Sequence, residues 1–298
     1  MTDKQLLTLS SARPSVDSLD HFAAHGWVCV RNLLLPSELR VLQTECSALY
    51  SGQSAETIAA QGCVLDVLAQ CPIRESDRAR VDSTCYLKAR ARATNRFGED
   101  DERVFASLMF EKLPTIAGLM LAAHNECDAA TSVFFFNEHY VVKPPKSHVE
   151  FRWHRDDDEQ LAMCVHRDSI QVYVSAWCAL DIVTRVNGAL QFVSLEMSTE
   201  TTNEGTSAGR QRQASAPVDV EAGDVLFFLS NVWHYSSSNE SDSARRAFYA
   251  QYSREVITST PNDASPLSFA IPCKAASSMA AVSMSAGDSG SVRIKTPE

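Results

Sequence analysis

The sequence predicts an α+β protein: a helical first part packed on a C-terminal jelly roll or sandwich of strands. Three observations carry this. From residue 131 onward six segments, "SVFFFNEHYVV", "VEFRWHRD", "SIQVYVSAWCALDIV", "GALQFVSL", "DVLFFLSNVWHYS" and "RRAFYAQYS", are rich in β-branched or aromatic residues and bounded by Pro, Gly, Asn or Asp. No helical periodicity separates them, as expected for an all-β unit. Before residue 131, apolar residues instead recur at helical steps, and such helices bury their apolar stripe on the sheet.

In chain order, residues 1–14 read as a loose leader. "SVDSLDHFAAHG" is a short helix closed by Gly26. "WVCVRNLL" is a strand. Pro36 opens a helix in which Leu39, Leu42, Cys46 and Leu49 make one apolar face. In "RARVDSTCYLKARARATNRF" the alternation of Lys88, Arg90 and Arg92 predicts a strand with one charged face, either simply solvated or a basic rim for an anionic substrate. "VFASLMFEKLPTIAGLMLAAHNE" is helical, with Pro114 interrupting it. Asn187-Gly188 is a turn between strands. The Ala/Ser/Gly-rich end predicts a flexible tail. One domain over 15–255 is expected, helical over 15–130 with a jelly-roll core over 131–255, followed by an extension over 256–298.

Composition narrows function. With 298 residues, 45% hydrophobic and 21% charged, the chain is of ordinary globular type. No run approaches the roughly 18 apolar residues of a membrane span. A formal net charge of −10 makes nucleic acid a poor partner. Nine cysteines without close pairing read as reduced thiols. With no secretory signal read at the start, location defaults to the cytoplasm.

His-Arg-Asp occurs twice, at His154-Arg155-Asp156 and at His166-Arg167-Asp168. A kinase catalytic loop would need a Gly-rich loop, an upstream strand lysine and Asp-Phe-Gly, and none is present. A metal site fits better. Residues at i and i+2 on a strand point to one side, so His-x-Asp offers an imidazole nitrogen and a carboxylate oxygen to one ion. A third ligand from a distant strand, such as His234, would complete the two-His-one-carboxylate face of non-haem iron(II) oxygenases. Eleven residues after His234, Arg245 opens another strand. Its planar fork could grip the far carboxylate of a 2-oxo acid.

"RWHRDD", "WCALDIVTRVNGALQFV" and "GDVLFFLSNVWHYSSSNESDSARRAFYAQYS", with the opening "HFAAHGWVCVRNLLLPSELRVLQ", resemble the phytanoyl-CoA dioxygenase-like family of iron(II)/2-oxoglutarate oxygenases. The resemblance covers roughly residues 17–254 and is thin between 51 and 130. It implies a double-stranded β-helix core and places the iron ligands at His154, Asp156 and His234. It implies that Arg245, rather than Arg246, grips 2-oxoglutarate, since neighbouring strand residues point oppositely. Ser236, Trp177 and Asn137 fall where the family often lines the same pocket. Each also has a plain structural reading: a solvated hydroxyl, a core filler and a strand-end cap. His154 follows a Trp and lies 23 residues before Trp177, leaving room for a loop and a strand, whereas His166 lies only 11 before it. His166 and Asp168 are therefore expected to be loop residues. Asp157 and Asp158 are expected to face solvent or to orient neighbouring groups.

The resemblance further implies hydroxylation of a small-molecule or lipid-like substrate with O2, coupled to decarboxylation of 2-oxoglutarate to succinate. Asp156 favours this over halogenation, which in relatives needs a small residue there. One departure is "VSLEMS" (193–198), where the family carries a Pro-Gly-Ser-His-like turn, so analogy does not reach the substrate. A metal-binding jelly roll without 2-oxoglutarate and a non-catalytic scaffold are the alternatives.

Overall fold

Helix α1 (Val16–His25) starts where the Ser15 hydroxyl accepts the Ser18 N–H and stops at Gly26, which adopts φ 76°. A side chain at Gly26 would be strained by that φ and would meet Val232 Cγ2 at 2.5 Å. In this computed structural model the described residues are 14–67, 82–94, 98–125, 132–160, 171–198, 207–255 and 270–273. Residues 1–13 of the expected leader lie outside them, as do His166, Asp168 and residues 274–298.

The second helix, α2 (Pro36–Ser51), has proline in its first turn, where the missing N–H costs nothing. It buries Val41, Leu42, Cys46 and Leu49 on one side. A short helix, α3 (Ala55–Ala60), follows. Helix α4 (Ser83–Thr94) corrects the sequence reading, which expected a charged strand here. At about 100° per residue, Lys88 and Arg92 share a face and Arg90 points away from both. Lys88 and Arg92 are exposed while Arg90 is fully buried with Tyr86 and Ala89, so no basic rim forms. The charge pattern fitted either period, and burial decided for the helix.

The long helix α5 (Glu99–Asn125) contains a π turn at Leu108–Lys112, just before Pro114. The wider turn lets the chain pass a proline without ending the helix. This helix is long and apolar enough to cross a membrane, but 61% of its apolar window is buried inside the molecule. It is a core helix.

Ten strands make two antiparallel sheets among the described residues. They are β1 (Trp27–Val30), β2 (Val64–Leu65), β3 (Val133–Lys143), β4 (Phe151–His154), β5 (Val174–Ala179), β6 (Leu190–Phe192), β7 (Val225–Leu229), β8 (His234–Ser236), β9 (Arg245–Ser253) and β10 (Ile271–Cys273). The large sheet runs β1-β7-β5-β9-β3-β10, with β2 also on β3; the small sheet runs β4-β8-β6. Two details differ from the expected layout. The strand expected at "WVCVRNLL", β1, joins the large sheet together with the unexpected β2, so the N-terminal part is not helical throughout. The extension beyond 255, expected to be largely flexible, returns β10 to pair with β3.

Helices cover the outer face of the large sheet. Phe105 packs edge-on to Phe248, Phe135 lies against Tyr252, and the Tyr252 hydroxyl donates to Met109 O at 2.9 Å. The inner face meets the small sheet. There Tyr249 on β9 bonds Asp156, and Arg245 bonds Ser236 on β8. This closure is the jelly roll, with helices on one side, giving the α+β class.

Candidate metal centre and anion pocket

His154 and His234 face each other directly in the β4–β8 register, their ring centroids 4.1 Å apart. The next inward group is Asp156, at the start of a short helical turn (Asp156–Gln160). Ligand atoms of His154, Asp156 and His234 all lie within 4.8 Å of one another. Thus the first His-Arg-Asp supplies two members and β8 the third.

Each group is aimed. The His154 Nδ1 lies 2.6 Å from Arg152 O, and His234 Nδ1 lies 3.0 Å from Val232 O. A carbonyl only accepts, so both Nδ1 atoms carry hydrogen and both Nε2 atoms are left for a ligand. Burial, followed by the neighbouring His154, pushes the His234 pKa down to about 4. The neutral ring is free to act as a ligand and makes no ion pair, although its Nε2 lies 3.6 Å from Asp156 Oδ1. The other oxygen, Asp156 Oδ2, accepts from Ser175 Oγ at 2.5 Å, from Gln251 Nε2 at 3.2 Å and from the Tyr249 hydroxyl. Three donors therefore hold one oxygen and present the other. Phe228, 4.8 Å from the His234 ring, walls the site.

A second cluster lies at the Lys143 end of β3. Arg245 is 1% exposed, with its guanidinium 5.2 Å from the Trp177 ring. Its Nη2 donates to Gly188 O at 2.7 Å and to Ser236 Oγ at 2.9 Å, and its Nε donates to Asn187 O at 3.3 Å. Among the described residues no carboxylate pairs with it, and Nη1 is left without a partner. Arg246, pointing outward, instead makes a fork with Asp181 at 2.6 and 2.9 Å. Burial pushes the Arg245 pKa down to about 10.

Ser236 and Trp177 thus both touch Arg245. Ser236 is buried and fully bonded, unlike a solvated hydroxyl: it donates to Gly188 O and accepts from Arg245 and Lys143. Asn137 sits mid-strand rather than at a strand end, and its amide donates to Gln251 at 2.8 Å. Through Gln251 it belongs to the Asp156 side. It lies six residues from Lys143 on one strand, roughly 20 Å at the usual rise. Asp158 pairs with Arg155 at 2.9 Å, and Asp157 is half-buried with its carboxyl pKa raised by burial.

Sequence reasoning missed Lys143, Ser175, Tyr249, Gln251 and His139. The last stacks on Tyr249 with centroids 4.8 Å apart. The available signal was parity: 137, 139, 141 and 143 share one face of β3, as do 245, 249 and 251 on β9.

A jelly roll carrying two histidines and a carboxylate beside a buried, carboxylate-free arginine has the fold and donor set of a non-haem iron oxygenase. The chain belongs to the phytanoyl-CoA dioxygenase (PhyH) family, which it matches over residues 22–247. Solved structures agree on the fold. SnoK, a non-heme alpha ketoglutarate dependent carbocyclase from nogalamycin biosynthesis, is 18% identical with a TM-score of 0.54, covering 88% of this chain and 94% of that one. AviO1 from Streptomyces viridochromogenes Tue57 is 20% identical with a TM-score of 0.53, covering 83% and 98%. EctD from S. alaskensis, solved with 2-oxoglutarate and 5-hydroxyectoine, is 19% identical with a TM-score of 0.51, covering 83% and 78%. A search of curated protein sequences finds no match.

Proposed function

We propose that this protein is an iron(II)/2-oxoglutarate-dependent dioxygenase that oxidises, most simply by hydroxylation, a small-molecule substrate with O2. The observation that carries the reading is the pairing of two sites in one barrel: the His154/Asp156/His234 face and the free Nη1 of buried Arg245.

The residues present fit the metal. Two imidazoles and one carboxylate oxygen suit iron(II) and leave open positions opposite. When bound, iron with 2-oxoglutarate supplies oxidation of a substrate carbon, coupled to conversion of the co-substrate to succinate and CO2. The chain's own part is orientation and exclusion of water. Ser175, Gln251 and Tyr249 keep Asp156 presenting a single oxygen. Carbonyls 152 and 232 fix the histidine tautomers. Arg245, held by Gly188, Asn187 and Ser236 against Trp177, offers Nη1 to the far carboxylate. Asn137, which with Ser236 and Trp177 is assigned to the lining of the co-substrate pocket, reaches the Asp156 side through Gln251. A reducing compartment such as the cytoplasm suits this chemistry, and the six described cysteines are free thiols.

The test is anaerobic titration of the apo-protein with iron(II) and then 2-oxoglutarate, following the weak visible metal-to-ligand band. Wild type and His166→Ala should develop it and His154→Ala should not. Arg245→Met should need about 100-fold more 2-oxoglutarate, the size of losing a charge-assisted hydrogen bond together with the buried charge behind it. Metal binding without the band in wild type leaves a metal protein of another activity; no metal binding leaves a scaffold.

A further inference from the structure

Arg245 is not the only buried cation in its pocket. Lys143 stands directly opposite it in the β3–β9 register and is 0% exposed. Its Nζ donates to Ser236 Oγ at 2.8 Å, to Ser236 O at 3.0 Å and to Ser237 O. Both cations therefore bond the same Ser236 hydroxyl. They also converge on Gly188: a Cβ placed there would lie 3.3 Å from Lys143 Nζ and 3.3 Å from Arg245 Nη2. Phe151 lies under the ammonium, its ring centre 5.0 Å away. Neither cation has a carboxylate partner among the described residues.

Holding both groups charged side by side, without a counterion, opposes folding, and burial beside Arg245 favours the neutral amine of Lys143 until an anion is bound. Serine and backbone oxygens solvate them in part but bring no charge. An anion placed beside them would favour the ammonium. A single guanidinium would suffice to hydrogen-bond a carboxylate; the second cation adds field rather than further bonds, because its three donors are already used.

We propose that Lys143 is a specificity-determining positioning residue of this pocket: with Arg245, and through the shared Ser236, it makes a carboxylate at the far end of the 2-oxo acid a requirement for tight binding. The inference rests on the 2-oxoglutarate reading given above. It assigns to Lys143 the discrimination between 2-oxo dicarboxylates and 2-oxo monocarboxylates, and to Arg245 the direct bonds.

The test compares 2-oxoglutarate with 2-oxopentanoate, which has the same carbon chain with a methyl in place of the far carboxylate. Binding is measured calorimetrically on the anaerobic iron(II) protein, for wild type, Lys143→Met and Lys143→Gln. Wild type should prefer 2-oxoglutarate strongly. Removing the lysine charge should weaken 2-oxoglutarate by about 10-fold, the scale of one nearby charge at a partly screened site, and leave 2-oxopentanoate within about 2-fold. A merely structural lysine would weaken both ligands alike, so the ratio separates the two. The amide of the Lys143→Gln variant can still donate to Ser236. That variant should lose the discrimination as Lys143→Met does, and it serves if Lys143→Met does not fold. An unchanged ratio in a folded variant overturns the inference and leaves the oxygenase reading standing. No binding of 2-oxoglutarate by wild type removes that reading and this inference together.

Discussion

Strand β3 carries a buried charge cluster on each face, and the two differ in one respect. Outward, Glu138 meets Arg90, which also pairs with Glu45 and donates to the Tyr86 hydroxyl at 2.8 Å. The Arg90 guanidinium lies 4.1 Å from the Phe105 ring centre, and its carboxylate partners hold its pKa above the ordinary value despite burial. Inward, Lys143 meets Arg245, and both have their pKa values pushed down, to about 6 and about 10, with burial the first cause for each. The outward arginine has its counterions built into the chain, and the two inward basic groups do not. The outward cluster locks α2, α4 and β3 together. The inward cluster leaves charge unmatched at the place where an anion would enter.

The largest effect should come from breaking the outward cluster. Arg90→Met leaves Glu45 and Glu138 facing each other in the core without a cation. Losing one partner of a buried ion pair costs about 3–5 kcal/mol, a large share of a domain's stability. Urea denaturation should show that loss, while the folded fraction keeps its wild-type affinity for iron(II) and 2-oxoglutarate. A stable Arg90→Met protein would mean that this cluster too is held ready for something.

The converse substitution sharpens the contrast. Arg245→Met removes an unmatched charge, so stability without ligand should change by less than about 1 kcal/mol or rise slightly. What should vanish is stabilisation by ligand. At 100 times its Kd, 2-oxoglutarate stabilises the folded state by about 2.7 kcal/mol through mass action, and the variant should show almost none of this at the same concentration. Thermal melting of both iron(II)-loaded, anaerobic proteins with and without 2-oxoglutarate measures it. A large ligand-free loss in Arg245→Met would make the inward cluster structural as well.

The two clusters were unequally legible. The His-x-Asp spacing and the family resemblance pointed to His154, Asp156, His234 and Arg245, which the structure brings to the inner side of the barrel, because the apolar segments around them read as β. The helix limits at Gly26 and Pro36 were legible because capping is local. Arg90 was misread because charges at 88, 90 and 92 suit a strand face as well as a helix split between core and solvent; only Glu45 and Glu138, 45 and 48 residues away, decide it. Lys143 ends the apolar run "YVVK", where a lysine usually marks the strand's exit into water. That it turns inward depends on the register with β9, a long-range fact. The Tyr249 and Gln251 contacts to Asp156 span 93 and 95 residues and were hidden for the same reason.

The smallest expected effect is one of pH, and it tests the inward cluster by its own titration. Lys143 is faced by Arg245 from β9, by the Cys63 thiol ahead of β2 and by Glu150 ahead of β4. Burial first, then Arg245, lowers its pKa from 10.5 to about 6, with Cys63 and Glu150 acting weakly the other way. Between those values the unfolded chain binds more protons at this site than the folded one, so the site's contribution to ligand-free stability rises with pH from about 6 toward 10.5 and is lost as pH falls through 6. A bound carboxylate favours the ammonium, so binding should draw in a proton, and 2-oxoglutarate affinity should fall as pH rises from about 7 to about 9. The change should stay under about 10-fold, since Ser236 and Ser237 already solvate Nζ. Calorimetry in buffers of different ionisation enthalpy counts the proton directly. Wild type should take up a fraction of one proton per 2-oxoglutarate, and Lys143→Met should take up none and show a flatter profile. Equal uptake in the two would place the titrating group elsewhere and leave Arg245 as the pocket's sole working cation.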